Sequence, residues 1–160
     1  MRTHQTLRAA LVSVPLATTG ALVGCAASGN ADAGAPLRAP VRVDALEGEW
    51  TLVALRGEEL GDLEALGVRR PPHLTIADDG AAGGSAGVNR LAARLVVRED
   101  GGATFTQAIT TKMAGPPGAM DLEARYLLAI NAADAVRVSD ERLVFFSKGV
   151  EVLRFARSKK

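Results

Sequence analysis

Three runs near the end of the chain decide the fold: Ala135-Val136-Arg137-Val138-Ser139, Arg142-Leu143-Val144-Phe145-Phe146-Ser147 and Val150-Glu151-Val152-Leu153-Arg154-Phe155-Ala156. Only Asp140-Glu141 and Lys148-Gly149 separate them. β-Branched and aromatic side chains favour extended backbone, and interruptions this short leave room only for tight turns. A three-stranded antiparallel meander is the natural reading.

Immediately upstream the period changes. Leu122, Tyr126, Leu127 and Ile130 recur at helical spacing between Pro117 and Asn131, which predicts one amphipathic helix of about three turns. Asp121 and Glu123 are expected near its start, where the helix dipole favours negative charge. Further back, Leu91–Val97 and Ala103–Gln107 flank the turn sequence Glu99-Asp100-Gly101-Gly102 and read as a hairpin. The glycine-dense segment Ala81–Asn89 has low strand preference and predicts a bulge or a close backbone approach. His73-Leu74-Thr75-Ile76-Ala77 alternates into a bend at Asp78-Asp79-Gly80, and Glu49-Trp50-Thr51-Leu52-Val53-Ala54-Leu55 ends at Gly57; both read as strands. The segment around Leu60–Leu66 is ambiguous.

The class is therefore mainly β: a small β-barrel or strongly coiled antiparallel sheet of about eight strands with one α-helix. Closing or coiling the sheet removes exposed edges, and the helix plugs or caps it. Aromatic residues are only 4% of the chain, yet Trp50, Phe105, Tyr126, Phe145, Phe146 and Phe155 all fall in the last two-thirds, which places the core there. The expected folded domain spans 45–157, followed by a short basic tail at 158–160. A length of 160 residues leaves no room for a second domain of ordinary size.

Residues 1–24 have a different composition. Arg2, His4 and Arg8 precede an apolar stretch from Ala9 to Leu22, which ends on the small residues Val23 and Gly24. That is the three-part build of a secretory signal peptide. Ser13, Pro15, Thr18, Thr19 and Gly20 interrupt the stretch, so it falls short of the roughly 20 apolar residues of a stable spanning helix. Leu22-Val23-Gly24-Cys25 resembles the bacterial lipobox, which implies diacylation of Cys25 with palmitate-type chains and cleavage before it. Cys25 is the only cysteine, and acylation would explain a thiol with no disulfide partner. Ala26, rather than Asp, follows it, which implies the outer membrane in a diderm cell, facing the periplasm. In a monoderm cell the domain would sit on the outer face of the plasma membrane. From Cys25 to Asp44 the chain is rich in Ala, Gly and Pro without apolar period and reads as a disordered tether.

Composition narrows the chemistry. Of 19 basic residues Arg2 and Arg8 lie in the leader, leaving 17 against 18 acidic ones, a balance that argues against a nucleic-acid partner. Beyond the leader there is one histidine, His73, so a His/Cys zinc site and a Cys-His pair are excluded on count, and no metal or cofactor is expected. A Ser-His-Asp triad would have to join His73 to Ser85, Ser139 or Ser147, none of which stands in a nucleophile-elbow pattern. Asp78-Asp79 and Asp140-Glu141 fall at turns and read as solvated turn carboxylates. Gly83-Gly84-Ser85-Ala86-Gly87 lacks the Lys-Ser/Thr ending of a phosphate loop and reads as a bulged strand. Asn89, Thr110 and Thr111 are expected to close the glycine-rich connection by side-chain hydrogen bonds, and Glu123 to act as a cap or local anchor.

Several segments, taken in order, resemble the META domain family, also called HslJ-like, of bacterial envelope proteins. They are Gly48-Glu49-Trp50-Thr51-Leu52; Gly84-Ser85-Ala86-Gly87-Val88-Asn89-Arg90; Thr110-Thr111-Lys112-Met113-Ala114; the Glu123, Tyr126, Leu127, Ile130 helix; and the hairpin from Leu143 to Phe155. Together they span roughly residues 46–156. The resemblance implies a small barrel-like fold with one helix. It makes Gly84, Gly87, Asn89, Thr110, Thr111, Met113 and Glu123 signature positions. Relatives commonly carry cysteines where this chain has Val88 and Gly115; their joint absence implies that these two positions are close in space.

The functional expectation is a non-catalytic, membrane-anchored envelope lipoprotein. Its domain would bind an envelope protein, a peptide or a wall component and support stress or antibiotic tolerance. The alternative is a small-ligand carrier using the barrel mouth. That role needs a continuous apolar cavity, which Trp50, Phe145, Phe155 and Leu127 would fill if they packed together.

Overall fold

The computed structural model describes residues 40–158. The leader, the lipobox with Cys25, the tether as far as residue 39, and Lys159 and Lys160 lie outside the described residues.

The strands are β1 (Gly48–Leu55), β2 (Glu58–Glu59), β3 (His73–Ile76), β4 (Ala81–Ser85), β5 (Arg90–Val97), β6 (Ala103–Thr110), β7 (Ala135–Val138), β8 (Arg142–Ser147) and β9 (Val150–Arg157), with one helix, α1 (Pro117–Ala132), between β6 and β7. All belong to one antiparallel sheet, ordered β6-β5-β4-β3-β1-β9-β8-β7, with β2 attached to β1. The expected meander is β7-β8-β9. Its second turn, Lys148-Gly149, has φ of 51° and 82°, the two left-handed residues that match a tight hairpin to the right-handed twist of its strands.

The sheet curls into a half-barrel. Its two edges touch at one end, where Gly102 bridges Ala135. There the Ala103 amide donates to Asp134 O at 3.0 Å and the Val136 amide to Gly101 O at 3.1 Å. Register shifts between Leu52 and Ala54 on β1, Ala92 and Arg94 on β5, and Phe145 and Phe146 on β8 mark the bulges. Each adds an unmatched residue and local twist, so a sheet of short strands coils instead of lying flat. At the second bulge Gln107 on β6 takes a φ of 54°.

None of these bulges falls in the glycine-rich β4, which pairs regularly with β3 and β5. The expected bulged strand is therefore corrected to a regular one, and the glycines serve the close approach. A Cβ on Gly84 would run into the His73 carbonyl of the paired strand.

The helix connects the two edge strands and packs on the concave side. Tyr126, Phe145, Phe155 and Trp50 are fully buried. Phe145 and Phe155 meet edge to face at 6.2 Å, Tyr126 and Phe155 at 6.3 Å, and Phe105 lies 5.0 Å from Phe145. Offset and perpendicular contacts of this kind suit the ring quadrupole. The side chain that completes the set is Tyr126, not Leu127, which is only partly buried at its margin. Position 126 lies one residue, about 100° of helix, from 127, and that rotation decides which of two apolar neighbours faces the sheet. These rings occupy the space that a ligand carrier would use.

Two boundaries shift. The tether does not reach Asp44: Val41 packs against the core, a 3-10 helix covers Val43–Leu46, and the Leu46 carbonyl accepts the Trp50 indole N–H at 2.9 Å. At the other end Ser158 is not tail, since its amide donates to Glu49 O and its hydroxyl pairs with Thr51 Oγ1, both at 2.8 Å. The start of α1 also differs. Pro116 precedes it, Pro117 is its first residue, and no acidic residue lies in the first turn. Asp121 instead pairs with Arg125 one turn on, at 3.1 Å. Proline suits this position because its missing N–H would have had no partner in the helix. Among the described residues no helix is long and apolar enough to cross a membrane.

Candidate functional site

Asn89 and Glu123 are buried polar side chains, at 2% and 5% exposure. They hold one knot together. Gly87, at a φ of 126°, bends the chain after β4 in a conformation that L side chains rarely adopt. The Ser85 hydroxyl accepts the Gly87 amide at 3.2 Å, and the Ala86 amide donates to Asn89 O at 2.8 Å. This turn aims Asn89 inward, toward the helix.

Every hydrogen-bonding position of the Asn89 amide is used. Nδ2 donates to Glu123 Oε1 at 2.8 Å and to Met113 O at 3.1 Å; Oδ1 accepts the Thr111 hydroxyl at 2.8 Å and the Met113 amide at 2.7 Å. Glu123 Oε2 accepts the backbone amides of Asn89 at 2.8 Å and Val88 at 3.2 Å. Thr111 completes the circuit by accepting the Arg90 amide at 3.1 Å. Three chain segments far apart in sequence, the β4-β5 turn, the segment after β6 and the helix, are thus tied by direct hydrogen bonds. A fully satisfied buried network of this kind specifies one arrangement, because breaking any member strands a desolvated partner.

Of the seven signature positions, Gly84, Gly87, Asn89, Thr111, Met113 and Glu123 build this knot or its approach. Met113 joins through its backbone while its side chain is exposed. Thr110 does not join: it lies opposite Leu91 on β6, on the face away from Asn89. One residue along a strand reverses the face, so only one of two adjacent threonines reaches Asn89. The structure also brings Val88 against Gly115. A Cβ placed on Gly115 lies 3.3 Å from Val88 Cβ, within the reach implied for the paired cysteines of relatives.

The remaining sequence candidates stay apart from chemistry. His73 sits directly across from Ser85 in the β3-β4 ladder, but the serine hydroxyl is engaged in its own turn and no described carboxylate bonds the imidazole. Asp79 caps the β3-β4 bend through the Ala81 amide at 2.8 Å, and Asp140-Glu141 lie in the β7-β8 turn. Among the described residues no cluster of three metal-ligating side chains occurs.

Beside the knot lies an open cleft of about 910 Å³, lined by residues of β3, β4, β5 and β6 and of the segments that flank them. Arg69, Arg70, His73 and Arg90 line it together with Ile109, and among the described residues no carboxylate does. None of the three arginines stood out in the sequence. The one local signal is the Arg69-Arg70 pair ahead of Pro71-Pro72, and Arg90 joins it only through strand pairing.

The META domain family model matches residues 43–160. Among solved structures, an NMR structure of a protein from Burkholderia xenovorans superposes with a TM-score of 0.58 at 22% identity, covering 82% of this chain and 97% of that one. A crystal structure of a DUF4847 family protein from Bacteroides vulgatus superposes with a TM-score of 0.52 at 16% identity, covering 71% and 94%. Another protein solved by NMR gives 0.53 at 15% identity, covering 69% and 89%. At these identities the likeness is one of fold. No curated protein matches the sequence. The family model spans the curled sheet and its single helix, and this chain belongs to the META domain family.

Proposed function

We propose that the chain is a non-catalytic envelope lipoprotein, held to the membrane by acyl chains on Cys25, whose META domain serves as a binding or structural module under envelope stress or antibiotic challenge. The observation that carries the reading is the Leu22-Val23-Gly24-Cys25 tetrapeptide, which follows an interrupted apolar stretch and ends on the lone cysteine of the sequence. Each buried methylene contributes about 0.8 kcal/mol, so two or three acyl chains make attachment lasting where one holds only marginally. Its partner is an envelope protein, a peptide or a wall component. The module reading is supported over a barrel-mouth carrier by the aromatic side chains packed where a carried ligand would sit. It is supported over a hydrolase by the engagement of the Ser85 hydroxyl within its own turn, across the ladder from His73.

The test is intact mass and membrane fractionation of the full-length protein beside Cys25→Ser, expressed in a bacterial cell. Loss of the first 24 residues, a gain of acyl mass and sedimentation with membranes, all abolished by the substitution, is the expected result. A soluble wild-type protein with no acyl mass would overturn the anchor and leave Cys25 a free thiol.

A further inference from the structure

Some arginines of the domain are held by carboxylates; of those without an ion pair among the described residues, Arg56, Arg142 and Arg157 lie outside the cleft that Arg69, Arg70 and Arg90 share. Arg42, Arg94, Arg98, Arg125 and Arg154 each pair with a carboxylate between 3.0 and 3.8 Å away. Arg69, Arg70 and Arg90 make no ion pair among the described residues, and all three are exposed and line the same cleft with His73. In a domain whose acidic residues slightly outnumber its basic ones, three unpaired guanidinium groups around a carboxylate-free cleft are a local excess of positive charge.

The rest of the lining says what such a charge would meet. The Ser85 and Thr111 hydroxyls are already committed, which leaves the arginines as the charged donors of the cleft. Ile109, exposed to 68%, adds an apolar flank. The floor is glycine-rich at Gly84 and Gly87, so backbone is within reach of a ligand. Guanidinium groups present paired donors that match the oxygens of a phosphoryl group. The cleft is larger than one phosphate needs, and its apolar flank suits a ligand with a carbon portion attached.

We infer that this cleft is a binding site for a phosphoryl-bearing ligand, gripped by Arg69, Arg70 and Arg90, with Ile109 against the carbon portion. A membrane phospholipid headgroup and a soluble organic phosphate share this chemistry. The inference deepens the binding-module reading but needs no anchor, so it is tested on unacylated protein.

The experiment uses the full chain carrying Cys25→Ser, titrated with glycerol phosphate and pyrophosphate by amide chemical-shift perturbation. Flotation with vesicles of phosphatidylglycerol, and of phosphatidylcholine alone, forms the second arm. The triple variant Arg69→Gln/Arg70→Gln/Arg90→Gln removes the grip. Arg56→Gln/Arg142→Gln/Lys148→Gln removes the same charge from exposed positions outside the cleft. The expected result is saturable binding with shifts at Arg90, Thr110 and Thr111, weakened at least tenfold in the cleft variant, retained in the control and reduced by added salt. Binding to soluble phosphates and not to vesicles identifies a soluble ligand; binding to phosphatidylglycerol vesicles alone identifies a headgroup. No binding in either arm, equal binding by the cleft variant, or equal loss in the control would overturn the inference. Because neither arm requires acylation, a failed anchor leaves this outcome readable.

Discussion

Replacing Val88 and Gly115 together by cysteine should create a stabilising disulfide. A Cβ on Gly115 stands 3.3 Å from Val88 Cβ, against the 3.5–4.5 Å usual across a disulfide, so the two segments must part by only a few tenths of an ångström. Gly115 has an ordinary backbone φ, so a side chain there carries no left-handed strain. The loop closed from 88 to 115 is about 28 residues, and its lost chain entropy in the unfolded state corresponds to about 3.6 kcal/mol. Against this, a half-buried valine gives up roughly one methylene of packing, about 0.8 kcal/mol. The net gain is about 2 to 3 kcal/mol, which for a domain of this size raises Tm by roughly 10 °C. The assay compares oxidised and reduced protein in a Cys25→Ser background, by alkylation followed by intact mass and by thermal circular dichroism. Two thiols that stay alkylable after oxidation of the folded protein, or a cross-linked form melting no higher than its reduced form, would refute the reasoning.

Two further substitutions probe the buried polar groups. Asn89→Asp would set a carboxylate oxygen against Glu123 Oε1, where Asn89 Nδ2 now donates at 2.8 Å. Two carboxyl groups at that distance share a proton, so the folded-state pKa of the pair rises; the variant should lose about 3 kcal/mol or more at neutral pH and recover part of it below about pH 5, read by urea unfolding across pH. Tyr126 is fully buried and its hydroxyl has no hydrogen-bond partner among the described residues, and burial pushes its pKa well above the ordinary value near 10. Above pH 10 the unfolded chain therefore releases this proton while the folded one keeps it, and stability falls by about 1.4 kcal/mol per pH unit from this group. Tyr126→Phe should raise stability by about 1 kcal/mol at neutral pH and flatten the alkaline slope, as measured by urea unfolding between pH 8 and 11.

The class, the element order and the limits of the meander could be read from the chain because their causes are local. Period-two alternation, aromatic and β-branched runs and short polar turns act between neighbours, and the Lys148-Gly149 turn needs nothing beyond its own two residues. The helix pattern was equally local, although choosing Tyr126 over Leu127 as the side chain against Phe155 required the sheet to be in place.

What the chain could not show depends on which strands lie side by side. The bulges that coil the sheet sit at Leu52/Ala54, Ala92/Arg94 and Phe145/Phe146, away from the glycines that suggested one, because a bulge is a property of a pair and not of a strand. Glu123 looked like a helix-start residue, yet it serves backbone amides 34 and 35 residues away. The cleft arginines come from the segment before β3 and from the start of β5. Only the antiparallel β3-β4-β5 pairing sets them around one space, and only the course of the neighbouring segments leaves that space without a carboxylate.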